Sequence, residues 1–286
     1  MGALAAQGYR AASERYSDLD PGWVWTRKTV ADLVEAGLVS KTPPIPPAQR
    51  ESVWSVLEPL TSDPDPEDSR RTETRREADL SLNSIRGRAM HNVFWYCRWL
   101  KLALIESDPE LQPSLQDMPE AAYVLTSRLD PDVERHPAIR CIFGWRFSLL
   151  LWLDESWAVS HRKRIFSSDS LGAAAWETYL RLPVVRLRAA RVLRPQYESA
   201  AEALDPASVV IEDDDPLIGL AHHLMTFFWH GELELDDALI VRFFGSAPAE
   251  GRSEAVRFLG RSLRDVRGEE SEAPLDRLMA LWEWRG

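Results

Sequence analysis

The chain has 286 residues, and its 34 basic and 45 acidic side chains give a formal net charge of −11. Hydrophobic residues make up 45% and charged residues 28% of the chain, close to the averages of globular proteins, and this length can bury a substantial core. These values exclude a disulfide-stapled miniprotein, a fibre and a wholly disordered chain. Twelve tryptophans against only fourteen glycines favour bulky packing between helices over the tight glycine turns of α/β enzymes.

The N-terminal region lacks a basic segment followed by a long apolar one, so we expect no secretory signal there. We predict that residues 1–22 form an arm, which could be flexible. Apolar runs all fall short of the roughly 20 residues that a membrane span needs. Cys97 and Cys141 each lie in an apolar run and form no C-x-x-C pair, which excludes a zinc site built on cysteine pairs. We therefore expect two buried free thiols in a reduced, cytoplasmic protein that contacts no membrane.

Helical periodicity dominates the first half of the chain. It predicts helices at about 24–38 and 48–60, and a long helix from Asn83 to about Glu106, with Asn83 or Ser84 as its N-cap. Between them, residues 62–78 have a single apolar side chain and are predicted to form a mobile charged loop, because they cannot bury enough surface to offset the entropy of ordering.

The second half is predicted to be helical as well. A helix over 119–129 precedes one from Pro137 to Leu153, which is apolar almost all round and therefore central and buried. Asp215 and Pro216 form a strong helix-start signal, and Gly231 and Gly268 are plausible helix stops. Further helices are predicted at 170–181, 186–204, 216–230, 236–245, 248–266 and 274–284, with at most one short strand near 208–212.

About ten helices joined by short turns rich in proline and aspartate indicate an all-α fold. We predict antiparallel helix pairs stacked side by side in a degenerate helical solenoid of the HEAT or TPR kind, without a fixed sequence period. Residues 23–286 would form a single repeat-like domain.

Charge is distributed unevenly along this predicted array. Residues 157–194 carry eight basic side chains against two acids, and residues 197–241 carry eleven acids and no lysine or arginine. The two segments could pair with each other across neighbouring helices, or they could form a polar surface that recognises a charged partner. The candidate partner-binding residues are seven arginines in two rows, Arg186, Arg188, Arg191 and Arg194 and then Arg257, Arg261 and Arg264.

Catalytic and metal-binding patterns are weak. His222, His223 and His230 fall on or near one predicted helix, but the seven-residue step from His223 to His230 is too long for two ligands of one metal. The acidic run at 212–215 lacks an EF-hand pattern, and no phosphate-loop or nucleophile-elbow motif occurs. Cys97 and His91, six residues apart, form no convincing dyad. We expect no cofactor, no metal and no enzymatic activity.

Four segments carry a family resemblance, at 83–100, 138–158, 173–182 and 256–263 with 278–285. Together they resemble the C-terminal helical region of large bacterial multidomain NTPases associated with antiphage defence. The resemblance covers roughly residues 50–286 and consists of apolar and aromatic packing residues, so it implies a fold and carries over no active-site residue.

Together, these features predict a non-enzymatic helical scaffold that recognises another macromolecule, with a protein as the expected partner. It could be the sensor part of a bacterial defence system. The alternatives are a hydrolase or nucleotide-processing enzyme with a dispersed site, and a nucleic-acid-binding protein that uses the row from Arg186 to Arg194.

Overall fold

The computed structural model describes residues 23–40, 45–67, 77–207, 215–265 and 272–285. Of these residues, 76% are helical, in fifteen α-helices and two short 3₁₀ turns, and none lies in a strand. The all-α class is therefore confirmed. The chain divides into two compact units, Met1–Tyr179 and Leu180–Gly286, which are described separately below. The expectation of one repeat-like domain stays a prediction, and the predicted N-terminal arm lies outside the described ranges.

The described residues of the first unit form nine helices. They are α1 (Val24–Val39), α2 (Arg50–Thr61), α3 (Glu77–Asn83), α4 (Ile85–Ser107), α5 (Pro119–Ser127), α6 (Pro137–Trp145), α7 (Phe147–Leu153), α8 (Glu155–Ile165) and α9 (Ser170–Leu180).

Helix α4 is the centre of the first unit. Its N-cap is Ser84, whose hydroxyl oxygen accepts a hydrogen bond from the amide of Gly87 and so satisfies one of the free donors of the first turn. Helices α1, α2, α3, α5, α6 and α7 all contact it. Because each repeat of a solenoid contacts only its neighbours, this arrangement leaves the HEAT- or TPR-like solenoid unconfirmed, and the solenoid stays a prediction.

The predicted central helix from Pro137 to Leu153 is in fact two helices, and here the sequence prediction was wrong. The backbone of Arg146 leaves the helical region (φ −96°, ψ 9°) and separates α6 from α7. An apolar pattern that runs all round a helix does not reveal such a break, because both pieces are buried. Helix α8 was not predicted; Asp154 caps it by accepting from the amide of Trp157.

The predicted mobile loop at 62–78 is partly built into the first unit. Asp63 is buried and accepts from Arg27 at 2.5 Å, and a carboxylate oxygen of Asp65 accepts from the amide of Ile85 at 3.0 Å. Helix α3 begins at Glu77, within the predicted loop. Residues 68–76, and the mobility predicted for them, lie outside the described ranges.

The second unit contains α10 (Leu187–Val192), α11 (Arg194–Glu202), α12 (Pro216–Trp229), α13 (Ala238–Ser246), α14 (Ala249–Asp265) and α15 (Glu272–Arg285). The predicted helix at 186–204 is split into α10 and α11 at Leu193. Asp215 caps α12, and Gly231 follows that helix with a φ of 72°, as predicted. The predicted strand at 208–212 and the helix stop at Gly268 lie outside the described ranges.

Packing in the second unit centres on α12, which contacts α14 and α15, while α11 contacts α13. The buried residues Leu220, Leu224 and Phe228 recur every four positions along α12 and therefore share one face of that helix. This face supplies a large part of the apolar core of the unit.

Candidate functional site

The first row of predicted arginines meets the acidic segment that follows it in the sequence. Arg191 donates to both carboxylate oxygens of Glu232, at 2.5 and 2.9 Å. Arg194 donates to Asp237 at 2.7 Å and to Glu198 at 2.9 Å. The hydrogen bond from Arg191 lowers the pKa of Glu232. These pairs join residues up to 43 positions apart and neutralise part of the charge contrast that suggested a partner-binding surface.

The other two arginines of this row are exposed to solvent. Arg186 precedes α10 and Arg188 lies in its first turn, and both are exposed. Beside them, Arg191 and Arg194 border a crevice of about 40 Å³. Typical ligand pockets are larger, at about 300–1,000 Å³. The role of the row as a partner-binding surface stays a prediction.

The second row converges on one carboxylate. Arg261 and Arg257 lie 2.5 and 3.5 Å from carboxylate oxygens of Glu254. The ring Nε2 of His222 lies 2.9 Å from the same carboxylate, and its ring stacks on Phe258. Arg264 belongs to α14, but its side chain lies outside what the structure describes. Glu254, on α14, therefore links that helix to His222 on α12. Its carboxylate also forms ion pairs with two of the three arginines of the row.

The histidines of α12 do not form a metal site in the described part of the chain. His223 is buried, with Nδ1 2.7 Å from the hydroxyl of Tyr197 and Nε2 3.3 Å from the carbonyl of Leu182. Burial lowers the pKa of His223 to about 4, so it is neutral at pH 7. His230 is exposed beyond the end of the helix. Among the described residues, no group of three histidine, cysteine or acidic side chains could hold a metal ion.

The two cysteines are buried free thiols, as predicted. Burial raises the pKa of Cys97, which makes it a poor nucleophile. Burial also lowers the pKa of His91 to about 3, so that His91 is neutral. Of the predicted acidic run at 212–215, only Asp215 lies in the described ranges, where it caps α12.

An open apolar groove between α1 and α2 is the most site-like feature of the first unit. Helix α1 contributes Val30, Leu33 and Val34, spaced so that they share one face. The facing wall comes from α2, where Val53 and Val56 follow the same spacing. The groove has a volume of about 300 Å³.

Ile45, which precedes α2, also lines this groove. Ile45 lies so near Gly37 of α1 that a Cβ atom at Gly37 would come within 2.6 Å of Ile45 Cδ1. The carbonyl of Ile45 accepts a hydrogen bond from Trp99 Nε1 at 3.0 Å, which ties Ile45 to α4. The groove is therefore formed by well-anchored elements.

The described residues that line the groove include no charged side chain. Gln49 and Ser52 are its polar members, and the others are aliphatic. Leu33 is 54% exposed, whereas Val30 at the base is 6% exposed. The groove can therefore bury apolar side chains of a ligand, and its described lining supplies no carboxylate, imidazole, amine or thiol.

Sequence reasoning missed the groove, although its signal is present. On α2, Trp54, Leu57 and Leu60 form the buried face, which leaves Val53 and Val56 as apolar residues outside that face. A helix with more apolar residues than one buried face requires is a sign of a second contact surface.

Comparisons with protein-family models, with curated protein sequences and with solved structures find no match for the chain. The resemblance to the C-terminal region of defence-associated NTPases thus rests on the four sequence segments and stays a prediction. Among the helices of the described ranges, none combines the length and the apolar character that a bilayer crossing requires.

Proposed function

We propose that this protein is a non-enzymatic helical scaffold that recognises a protein partner, and that the groove between α1 and α2 binds an amphipathic helix of that partner. One observation carries the proposal: the groove is open, its described lining is mainly aliphatic and uncharged, and Leu33 at its rim is 54% exposed. Exposed apolar surface of this kind marks interaction sites on globular proteins.

The shape of the groove favours a helix as its occupant. Two helices form its walls, and helix-in-groove recognition places anchors at positions i, i+3, i+4 and i+7 against such walls. Addition of an extended strand would need a free sheet edge, and the described residues contain no strand. Each aliphatic anchor that is fully buried contributes about 1.5–3 kcal/mol, so two or three anchors can support binding.

Partner class and biological setting are part of the same proposal. A bacterial defence role is supported by the sequence resemblance alone. A second copy of this chain in the groove is an outcome of the experiment below. Nucleic acid is disfavoured as the ligand of the groove, because the described residues of its lining supply no cation for phosphate contacts.

Site-specific photocrosslinking tests the proposal in cells. A photoreactive amino acid replaces Leu33 at the rim in one variant and Tyr123 in the control. Tyr123 is a large residue on α5 that is 73% exposed. We expect a discrete crosslinked protein with the reagent at Leu33 and not at Tyr123, with the crosslink mapped to an apolar position of a helical segment.

The mapped segment is then made as a synthetic peptide. The proposal requires that it bind the wild-type chain and Tyr123→Glu equally, and that Leu33→Glu weaken binding at least tenfold without lowering the melting temperature. A crosslink only to another copy of the chain, identical products at both positions, or a peptide that binds without helix formation would each contradict it.

A further inference from the structure

Two guanidinium groups lie over one indole ring in the first unit. Arg98, one turn after Trp95 on α4, places its Cζ 5.8 Å from the centroid of the Trp95 ring. Arg146, from the break between α6 and α7, places its Cζ 4.5 Å from the same centroid. All three side chains are half-buried and reach solvent. The break at Arg146 thus brings a cation to the central helix from a position 51 residues away.

Within the described ranges, neither of these arginines forms an ion pair. The neighbouring cation Arg88 has its own carboxylate, Asp32. Glu35 of α1 attracts Arg146 without contacting it, and burial outweighs that attraction and lowers the pKa of Arg146. Two positive charges are therefore partly removed from water and have no counter-charge in contact, a costly arrangement.

His91 positions Arg146. Its ring Nδ1 lies 3.4 Å from Arg146 Nε and 3.3 Å from Arg146 Nη2, so a neutral His91 accepts a shared hydrogen bond through Nδ1. Trp145 packs edge-on against the His91 ring. Burial, together with the charges of Arg146 and Arg88, keeps this histidine neutral.

Donors exceed acceptors throughout this cluster. His91 Nε2 and Trp95 Nε1 are both buried without a hydrogen-bond partner among the described residues. Buried polar groups are normally paired, and unpaired ones need a physical reason. Within the described part of the chain, the guanidinium groups of Arg98 and Arg146 lack a negative charge in contact, and the ring N–H groups of His91 and Trp95 lack an acceptor atom. A bound anion is a consistent reason for all four.

We propose that Trp95, Arg98 and Arg146 form a binding site for a phosphate group, with His91 as a positioning residue. A phosphate dianion matches the two positive charges, and its oxygens accept the parallel N–H donors of guanidinium groups. A carboxylate would leave one of the two charges unmatched. The site lies outside the groove between α1 and α2, and it stands whether or not that groove binds a helix.

Calorimetric titration with inorganic phosphate tests this site, with acetate and chloride at the same ionic strength as reference anions. We expect saturable phosphate binding by the wild-type chain that Arg98→Gln weakens at least tenfold. Arg98 suits this test because, among the described residues, its guanidinium contacts the ring of Trp95 and no carboxylate, so the variant should fold. Arg135→Gln, which removes an exposed arginine of the same unit, is the matched control and should bind phosphate as the wild type does.

Further arms identify the source of the phosphate and test the geometry. Methyl phosphate that binds as tightly as inorganic phosphate indicates a phosphorylated ligand, whereas binding of inorganic phosphate alone indicates the free ion. Arg146→Lys keeps the positive charge but removes the parallel N–H donors of the guanidinium group, so it should weaken phosphate binding as well. Absence of saturable phosphate binding, equal binding by Arg98→Gln and Arg135→Gln, or acetate binding as tight as that of phosphate would overturn the proposal.

Discussion

Mild acid should destabilise both units, because each contains a buried neutral histidine. His91 and His223 have pKa values of about 3 and about 4 in the folded chain, below the 6.5 of an exposed histidine. As the pH falls below 6.5, His91 and His223 bind protons in the unfolded chain but stay neutral in the folded chain. Stability is therefore present above pH 6.5 and is lost as the pH falls towards the two folded-state values.

The size of the loss follows from the same pKa values. A group that titrates only in the unfolded chain contributes about 1.4 kcal/mol per pH unit. Over the 1.5 units from pH 6.5 to pH 5, each histidine therefore removes about 2 kcal/mol of stability. Against the 5–15 kcal/mol that holds a typical protein folded, such a loss is easily measured by urea denaturation followed by tryptophan fluorescence at pH 7, 6 and 5.

Comparison with variants isolates one histidine. His223→Gln should be less stable than the wild type at pH 7, by about 1–2 kcal/mol, because the bond to the Tyr197 hydroxyl is lost. Between pH 7 and pH 5, however, it should lose about 2 kcal/mol less than the wild type. Burial raises the pKa of Asp63 to about 6, so its protonation stabilises the folded chain as the pH falls through the same range. This contribution is the same in the wild type and in His223→Gln and cancels in the comparison.

His230→Gln, which removes an exposed histidine of the same unit, is the matched control. Parallel pH curves for His223→Gln and the wild type would refute the reasoning, because they would mean that His223 binds its proton equally in the folded and unfolded chains.

Three further predictions concern packing, thiol access and surface charge. Gly144→Ala should destabilise the chain by at least about 2 kcal/mol, because the new Cβ would lie 2.0 Å from a backbone carbonyl oxygen of α9. Gly260→Ala should stabilise the chain by about 0.5–1 kcal/mol, because nothing lies within 4 Å of its new Cβ. Thermal melting ranks the two variants. Cys97 and Cys141 should react with a thiol reagent only on the timescale of unfolding, so rapid labelling of the native chain would contradict their burial. Arg194→Glu should lower stability by about 1–2 kcal/mol without unfolding the chain, because its two ion pairs are partly exposed; an unfolded variant in circular dichroism would show that these pairs are essential to the fold.

Local signals in the sequence were sufficient for the class of the fold and for many helix ends. Ser84, Asp215 and Gly231 act on neighbouring backbone groups within a few residues, so their roles as caps and stops can be predicted without tertiary contacts. The burial of both cysteines follows in the same way from the apolar runs around them.

Contacts between distant residues were decided only by the tertiary structure. The chain path brings Arg191 to Glu232 and Arg146 to Trp95, over 41 and 51 positions, and no local pattern encodes such pairings. The break at Arg146 and the groove between α1 and α2 arise in the same way, because each depends on how separate helices pack on α4. Periodicity identifies the apolar faces of a helix, but only packing decides which of those faces is covered and which remains open to a partner.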